Sequence, residues 1–362
     1  MKVVIANVRP AIAQTSDAPE FWARHPRPDP RGRLSLFDQP AAWGLHMFAI
    51  GLYLRDRGLA DAVEFWEYQE RRRMRYMASG ILRVTFHDAE DVAAYVDRHG
   101  APDLFINYGR DGILLLELLA DRCFRVHVPC LRGDDQAGNA GAECYLVDDP
   151  AYLDDRSMLY IPVVNVEKIR PNGAATLRDF IYLAAAYAGK RHDLVVDAVR
   201  GTELTGHFHP VRAGTLDLTG TRVTTSDWNE RDLVELLTTS RIAVYPSDGT
   251  SNPAALWECV AAGLPIVVNA RIPGGRHVVV PGVTGELAEP EDFRAVMRRV
   301  LADRARYRAR EHLMTHWEPR AMLARYVDFF RRMGWRPSSR RSAIIRAHCE
   351  PPTLGIGPDE PA

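Results

Sequence analysis

The sequence predicts an α/β protein made of two domains, each built around a parallel β-sheet. Its 362 residues are more than one ordinary α/β core needs, and 46% of them are hydrophobic, which is enough to bury two cores. Short apolar runs alternate with stretches of helical length along most of the chain. This alternation is typical of parallel strands that are connected by helices.

The first block of the chain carries four strand candidates and a long polar segment. The strand candidates are short apolar runs, as expected for strands covered on both faces: Val3–Val8, Leu104–Tyr108, Phe124–Val128 and Leu159–Val164. The stretch AAWGLHMFAIGLYLRDRG predicts a helix that ends at Gly58. The Pro-rich and Arg-rich segment from about Arg9 to Pro40 is too polar and too broken for a helix, so we expect a long functional or disordered loop.

The second block begins after a polar segment at residues 164–176. Its strand candidates are Phe180–Ala186, Arg241–Pro246 and Pro265–Asn269. The last helices are expected at about Pro290–Met314 and Pro319–Met333. A Pro/Gly-rich tail follows, and we expect it to be poorly ordered unless it docks.

Charge and cysteine content exclude some classes of protein. Lys plus Arg is 46, Asp plus Glu is 47 and the net charge is −1, which argues against a dedicated nucleic-acid binder. The five cysteines include no C-x-x-C pair and no zinc-finger spacing, so we expect reduced thiols in a cytoplasmic protein. The apolar run that ends at Val8 is too short for an export signal, and no apolar run is long enough for a membrane span.

The most informative stretch runs from Tyr245 to Gly285. It is predicted to form a strand, a loop, a helix that ends at Gly263, a second strand and a second loop. Asn252 suits the helix cap and Pro253 suits the first helical turn. Such a helix directs free backbone N–H groups at the edge of the sheet, where a diphosphate can bind. A carboxylate at Glu258, within this helix, can accept hydrogen bonds from ribose hydroxyls. From geometry alone, the alternative interpretation of Glu258 is a solvated helix carboxylate.

The segments PSDGTSNPAALWECVAAGLPIVV and IPGGRHVVVPGVTGELAEP resemble the donor half of the retaining GT-B glycosyltransferases of family four, the glycosyl transferases group 1. That family has a Pro-Ser strand end, two glutamates separated by seven residues, an alanine-rich helix that ends in Gly-Leu-Pro, and a Gly-rich return. Fainter likenesses extend the resemblance over about Met1 to Met333. It implies an α/β GT-B architecture of two Rossmann-like domains with parallel sheets and a C-terminal crossover helix. We therefore expect an acceptor-side domain at 1–165, a donor-binding domain at 166–315, and the crossover helix with a flexible tail at 316–362.

The resemblance assigns roles to residues of the second domain. Glu258 matches the glutamate that holds the donor ribose, and Lys190 matches the lysine that neutralises the donor diphosphate. A cation beside Gly189 can stabilise charge on a leaving diphosphate, whereas the alternative is an exposed loop lysine. The other donor-side candidates are Arg191, Ser251, Asn252, Pro253, Ala254, Gly274, Gly275, Arg276 and His277. For the Gly-Gly loop, a plain surface turn is the alternative interpretation.

Two positions depart from the family pattern. The first glutamate of the pair should stand at 250, where this chain has Thr250. Either Asp248 substitutes for that carboxylate, or the donor sugar is recognised differently. The companion arginine of the phosphate loop should stand near Ala185, and Arg191 is the predicted substitute for it. These departures leave the donor type and the activity open.

The acceptor-side candidates follow the predicted strands of the first domain. They are Gly44, His46, Asn107, Arg110, Asp111 and His127. A helix-face residue is the alternative for His46, and a core histidine is the alternative for His127. The cluster Arg71–Arg73 with Arg75 would dock a phosphorylated acceptor or an anionic membrane, although a solvated helix face is the default interpretation.

The resemblance implies a retaining glycosyltransferase that needs no metal and takes a nucleoside-diphosphate sugar, such as a UDP or GDP sugar, as co-substrate. His207 and His209 form an H-x-H pair, but no third ligand is evident, so we predict no metal site. The acceptor is an unidentified small molecule or glycan, with no nucleic-acid partner; weak membrane-surface contact and a homodimer stay open. The alternatives are a non-catalytic sugar-nucleotide-binding protein and a GT-B nucleotide-sugar epimerase.

Overall fold

The computed structural model describes residues 1–7, 45–68, 75–78, 81–109, 112–129, 141–227, 230–249 and 252–337. These residues form two β-sheets. The first comes from the N-terminal part of the chain and the second from residues 178 to 288. Helices pack against both sheets, and the hydrophobic core of buried aliphatic and aromatic side chains continues from one sheet to the other.

The first sheet has eight strands in the order β3-β4-β2-β1-β5-β6-β7-β8. Its strands are β1 (Lys2–Asn7), β2 (Ala62–Tyr68), β3 (Arg75–Ala78), β4 (Ile81–Phe86), β5 (Leu104–Tyr108), β6 (Phe124–Val128), β7 (Cys144–Val147) and β8 (Ser157–Leu159). Neighbouring strands are parallel except β3 and β4. Its helices are α1 (Leu45–Asp56), α2 (Ala89–His99) and α3 (Ile113–Leu118). The central strands β1 and β5 are apolar because both of their faces are covered.

The second sheet has six parallel strands in the order β11-β10-β9-β12-β13-β14. Its strands are β9 (Arg178–Leu183), β10 (Thr205–His209), β11 (Arg222–Thr225), β12 (Ser240–Tyr245), β13 (Ile266–Asn269) and β14 (Gly285–Ala288). The helices of this half are α4 (His192–Val199), α5 (Glu230–Thr238), α6 (Ala254–Ala261), α7 (Phe293–Ala302) and α8 (Ala309–His316).

The last described helix, α9 (Pro319–Arg332), returns to the first sheet. It begins at Pro319 because the Glu318 carboxylate caps it, accepting from the Ala321 N–H at 2.7 Å. The helix packs against α1, and its buried Tyr326 hydroxyl accepts from the Ile161 N–H at 2.6 Å. The crossover helix and the two parallel sheets confirm the predicted GT-B architecture. The domain boundaries at 165 and 315 stay predictions.

The C-terminal edges of the two sheets face each other. The Gly275 N–H donates to the Asp148 carbonyl, which follows β7, at 3.1 Å. The Asn252 side-chain amide donates to the Tyr160 carbonyl, which follows β8, at 2.8 Å. Loops that leave both sheets at this edge therefore border a common interface.

Several predicted elements were wrong in extent or type. Of the strand expected at Leu159–Val164, only Leu159 belongs to a strand, as the last residue of β8. The helix expected at Pro290–Met314 is two helices, α7 and α8, because the chain turns at the buried Tyr307. Arg75 begins strand β3, so the helix-face interpretation of that residue was wrong; Arg71–Arg73 lie outside the described residues. Strands β2 and β4 were not predicted either.

Candidate functional site

In the second sheet, the order in which the chain adds strands reverses between β9 and β12. The chain adds β10 and β11 on one side of β9, whereas β13 and β14 lie beyond β12 on the other side. In open parallel sheets the loops at such a switch point separate and leave a crevice for ligands. The two loops in question follow β9 and β12, and they carry most of the donor-side residues predicted from the sequence.

Glycines allow these two loops to approach each other closely. The Ser247 hydroxyl donates to the Gly189 carbonyl at 2.7 Å, and the Gly249 N–H donates to the same oxygen at 3.2 Å. A Cβ atom on Gly249 would lie 3.0 Å from the Gly189 Cα atom, which is closer than side chains normally approach. A larger residue at position 249 would therefore push the loops apart.

Lys190 lies in this loop contact. Its side chain is only 7% exposed, and its ammonium group donates to the Tyr245 hydroxyl at 2.8 Å. The ammonium also lies 5.4 Å from the ring centroid of Tyr187 and 5.3 Å from that of Tyr245, within cation–π distance. Burial lowers the pKa of Lys190 to about 8. This placement excludes the alternative of an exposed loop lysine.

Arg191 is held by two carboxylates. Its guanidinium forms ion pairs with Asp193 at 3.0 Å and with Asp248 at 2.9 Å. The hydrogen bonds that Arg191 donates to Asp193 and to Asp248 raise the pKa of Arg191 above its usual value. The structure thus brings the two predicted substitutes, Arg191 and Asp248, into contact with each other. Their opposite charges offset one another at the site.

Helix α6 starts one residue later than the sequence suggests. Its N-cap is Pro253, in an extended conformation and without a side-chain cap bond, so the prediction that Asn252 caps the helix was wrong. Pro253 has no N–H, and its carbonyl accepts from the Leu256 N–H at 3.0 Å. The start of α6 at Ala254 faces the edge of the sheet. Backbone N–H groups in a first turn favour anions there.

Glu258 lies one turn into α6, on the same half-buried face as Ala254. Burial raises the pKa of Glu258 to about 7. Within the described part of the chain its carboxylate has neither a hydrogen bond nor an ion pair to lower that pKa. A half-buried carboxylate without a counter-charge is typical of groups that await a ligand. This environment argues against a fully solvated helix carboxylate.

The Gly-rich loop after β13 packs against the start of α6. Gly274 and Gly275 are buried, and Gly275 has a φ of 78°. Arg276 donates to the carbonyls of Ala270 and Ile272, so its guanidinium braces the loop. A plain surface turn does not describe this segment, because its glycines are buried.

The ring of His277 lies in an aromatic cluster. Its ring lies 5.5 Å from the ring of Trp257 and 6.3 Å from that of Trp317, measured between centroids. Burial lowers the pKa of His277 to about 4, so the ring is neutral at pH 7. Both ring nitrogens are buried without a hydrogen-bond partner among the described residues.

The first sheet has its own switch point between β1 and β5. Asn107, in β5, and His127, in the neighbouring β6, are both buried there. The Asn107 amide nitrogen lies 2.9 Å from the Gly109 carbonyl and 3.0 Å from His127 Nδ1. Since the carbonyl fixes the amide nitrogen as donor, His127 Nδ1 is an acceptor and Nε2 carries the proton of the neutral ring.

Other predicted residues are placed less completely. Thr250, Ser251, Gly44, Arg110 and Asp111 lie outside the described residues. His46 belongs to α1, but its side chain lies outside them too.

The H-x-H pair has hydroxyl partners. His207 contacts Thr224 Oγ1 and Ser226 Oγ, and His209 also contacts Ser226 Oγ at 2.9 Å. Burial lowers the pKa of His207 to about 4. Over the described ranges, no group of three His, Cys, Asp or Glu side chains is arranged to hold a metal ion.

Sequence reasoning missed the aromatic surroundings of Lys190. Tyr245 is the last residue of β12, and Tyr187 precedes the lysine by three residues and is 56% exposed. The positions of both tyrosines were readable in the sequence, but their contacts with the ammonium group depend on how the loops after β9 and β12 meet. None of the described helices combines the length and the apolar character needed to cross a membrane.

Comparisons with known proteins agree with this geometry. The family model described as "Glycosyl transferases group 1" matches residues 215–313. A search of curated proteins finds none that matches the sequence. Among solved structures, the chain is similar to a sucrose-phosphate synthase from Thermosynechococcus elongatus, with 16% identity, a TM-score of 0.66, and coverage of 92% of this chain and 98% of that one.

Two further structures are similar over the same share of the chain. Alr3699/HepE from Anabaena, in complex with UDP, has 13% identity and a TM-score of 0.66, with 92% of this chain and 100% of that chain covered. A glycosyltransferase from Rickettsia africae has 11% identity and a TM-score of 0.60, with 92% and 98% covered. At these identities the likeness shows the fold, which is GT-B.

Proposed function

We propose that the protein moves a sugar from a nucleoside-diphosphate sugar to an acceptor, with retention of the anomeric configuration, because residues 215–313 match the glycosyl transferases group 1 family model. One observation carries the proposal. The loop of the buried Lys190 and the loop that leads to the N-terminus of α6 meet at one switch point. Glu258 lies one turn further, and among the described residues its carboxylate has no hydrogen bond or ion pair. These groups suit a diphosphate and a ribose, respectively.

The diphosphate is the group that departs when the sugar is transferred. In this proposal, the Lys190 ammonium and the first N–H groups of α6 stabilise the negative charge that grows on it. With a pKa of about 8, Lys190 is mostly protonated at pH 7. The crystal structure of the Anabaena neighbour was solved with UDP, which supports a nucleoside diphosphate as the ligand class.

Glu258 accepts hydrogen bonds from the ribose hydroxyls in this proposal. Its pKa of about 7 means that the acceptor form and the protonated form are both populated near neutral pH. Because Lys190 and the helix dipole meet the phosphate charge, we propose transfer without a metal ion. The departing phosphate itself helps to remove the proton of the acceptor hydroxyl, which is how retaining chemistry proceeds without a strong general base.

The acceptor belongs at the edge of the first sheet, near the buried pair Asn107 and His127. We propose that the segment from Arg9 to Pro40, which lies outside the described residues, determines acceptor choice. It follows β1, and β1 ends at the switch point of its sheet. The cytoplasmic location, a homodimer and weak membrane-surface contact stay predictions.

The test is calorimetric titration with UDP, GDP, TDP and ADP, on wild type and on Glu258→Ala. We expect one diphosphate to bind, and the variant to bind it more weakly by about 1–3 kcal/mol, as for a lost hydrogen bond to a charged group. Wild-type protein that binds none of the four would contradict the donor site. Equal affinity of wild type and variant would show that Glu258 is not part of the donor site.

A non-catalytic sugar-nucleotide-binding protein is the second candidate, and one observation favours it. Ala185 stands where the family has an arginine, and the nearest substitute, Arg191, is already paired with two carboxylates. Nucleotide binding without sugar transfer or donor hydrolysis in an acceptor screen supports this candidate. Inversion at C2 of the donor sugar without an acceptor would instead support an epimerase.

A further inference from the structure

Asn252 connects the start of α6 to the first sheet. Its amide nitrogen donates to the Tyr160 carbonyl at 2.8 Å, and its amide oxygen accepts from the Trp257 indole N–H at 2.9 Å. The carbonyl can only accept and the indole can only donate, so the two partners fix the orientation of the amide. The residue is only 8% exposed. We call these three residues, Asn252, Tyr160 and Trp257, the Asn252 clasp.

Both ends of the clasp are firmly held. On the first sheet, the Tyr160 N–H donates to the Val147 carbonyl of β7 at 2.6 Å, and the Tyr160 ring stacks on that of Tyr326 from α9. On the second sheet, Trp257 is 1% exposed and lies within α6. The clasp therefore joins two rigid elements across the interface.

The backbone of Asn252 is shaped for this contact. Its φ of 37° lies in the left-handed region, which asparagine tolerates better than most residues. A Cβ atom on Gly275 would lie 2.7 Å from the Asn252 Cα atom, so only glycine fits at 275 without a shift. Gly275 in turn donates its N–H to the Asp148 carbonyl after β7. Two hydrogen bonds side by side thus hold the donor loops to the edge of the first sheet.

We propose that Asn252 is a positioning residue for sugar transfer. It fixes the N-terminus of α6 relative to the first sheet, so that a sugar on the bound diphosphate lies in line with an acceptor. Asn252 contacts neither donor nor acceptor in this proposal; it acts through α6 and the Gly275 loop. The inference rests on the proposed function, because it assigns the donor diphosphate to the start of α6.

The test compares Asn252→Asp and Asn252→Gly with the matched control Asn269→Asp. Asn269 is also buried; its amide nitrogen donates to the Pro246 carbonyl at 2.7 Å and its oxygen accepts from the Arg271 N–H, but both partners lie in the second half of the chain. An Asp at 252 keeps the acceptor for Trp257 and loses the donor for Tyr160. We measure kcat for transfer, the Kd for the preferred diphosphate, and hydrogen exchange at the Gly275 amide.

The expected result is a split between turnover and binding. Asn252→Asp lowers kcat by at least about 30-fold and changes the Kd by less than about 3-fold, in line with the loss of alignment on a bound donor. Exchange at the Gly275 amide becomes at least about 10-fold faster, because its partner Asp148 lies across the same interface. Asn269→Asp shows neither the split nor the faster exchange at Gly275.

Protonation provides a rescue that a merely structural role would not show. A buried Asp at 252 has a raised pKa, and its protonated form can again donate to the Tyr160 carbonyl. The kcat of Asn252→Asp, relative to wild type, therefore rises as the pH falls, whereas that of Asn252→Gly does not.

An unchanged kcat in Asn252→Asp, or equal losses in kcat and affinity, would overturn the proposed positioning role of Asn252. Wild-type protein that binds no diphosphate contradicts the proposed function instead. The exchange at Gly275 then decides the clasp alone: unchanged exchange in both Asn252 variants overturns it, and faster exchange confined to them supports it.

Discussion

The edges of the two sheets hold their polar side chains in different ways. At the second sheet, Lys190 and Glu258 are buried or half-buried, and burial moves both pKa values toward neutrality. At the first sheet, Asn107 and His127 are buried, and the Asn107 amide contacts both His127 and the Gly109 carbonyl. The edge of the second sheet therefore holds charged groups that a ligand can bind. The buried pair of the first sheet instead stabilises that sheet and shapes its edge. We therefore expect changes at the second sheet to alter binding of the charged donor, and changes at the first sheet to alter the geometry of the acceptor.

The largest effect is expected from Lys190, the buried cation in the contact between the two donor loops. Lys190→Met should weaken binding of the preferred diphosphate by about 10- to 100-fold, because a hydrogen bond to a charged group contributes about 1.5–3 kcal/mol. Transfer should fall at least as much. Calorimetry and a transfer assay measure both, with the exposed Lys168→Met as control. Unchanged affinity in Lys190→Met would break the assignment of the diphosphate to this edge.

The shifted pKa values of Glu258 and Lys190 predict how diphosphate binding at the second sheet depends on pH. Below about pH 7 Glu258 takes up a proton and loses its acceptor role, and above about pH 8 Lys190 loses its charge. Diphosphate affinity should therefore peak between these values. Glu258→Gln should remove the acidic limb except for the titration of the phosphate itself, and Lys190→Arg should flatten the alkaline limb, because arginine stays charged.

The same carboxylate makes folding stability depend on pH. The pKa of Glu258 is raised in the folded protein to about 7 from its ordinary value of 4.5, so the folded state binds the proton more tightly than the unfolded chain. The stabilisation is complete below about pH 4.5 and is lost as the pH rises to about 7, and amounts to at most about 3 kcal/mol. Urea unfolding of wild type and Glu258→Gln measures it; parallel pH profiles would contradict the shift.

The buried pair of the first sheet should affect transfer and leave nucleotide binding intact. Asn107→Leu removes the contacts to the Gly109 carbonyl and to His127, which should cost about 1–3 kcal/mol of unfolding free energy. We expect slower transfer and an unchanged diphosphate Kd in the folded fraction. An equal loss of both would show that the two edges do not divide donor and acceptor as proposed.

The smallest effect concerns the ion pair between Arg191 and Asp248. Removing the carboxylate in Asp248→Asn frees the guanidinium for the diphosphate, and should tighten binding by a few-fold at most, because partly exposed pairs contribute about 1 kcal/mol or less. The control is Asp193→Asn, whose more exposed carboxylate should matter less. Weaker binding in Asp248→Asn would mean that Asp248 itself holds the donor, as a substitute for the carboxylate missing at Thr250.

Much of the fold could be predicted because its signals are local. Strand β5 coincides with the predicted run Leu104–Tyr108, and α9 begins at the predicted Pro319, since an apolar run and a Glu-Pro cap are readable in sequence. Strand β2 was missed because its glutamates resemble an exposed face. Glu64 is buried and accepts from the Trp66 indole, and such compensation by partners in three dimensions has no sequence signature.

In the candidate site, too, some residues could be predicted from the sequence and others could not. Lys190 and Glu258 stand at positions that a motif defines, so the sequence alone could place them. The role of Asn252 could not be predicted, because its partner Tyr160 is 92 residues away and the capping preference of asparagine pointed elsewhere. The pairing of Arg191 with Asp248 was equally hidden, since it depends on two loops that meet only when β9 and β12 are neighbours.

A crystal structure of the chain with its preferred nucleoside diphosphate would show directly where the donor binds. We expect phosphate oxygens within hydrogen-bond distance of Lys190 Nζ and the first N–H groups of α6, and ribose hydroxyls on the Glu258 carboxylate. A diphosphate bound at the edge of the first sheet, or ribose hydroxyls that point away from Glu258, would contradict this expectation.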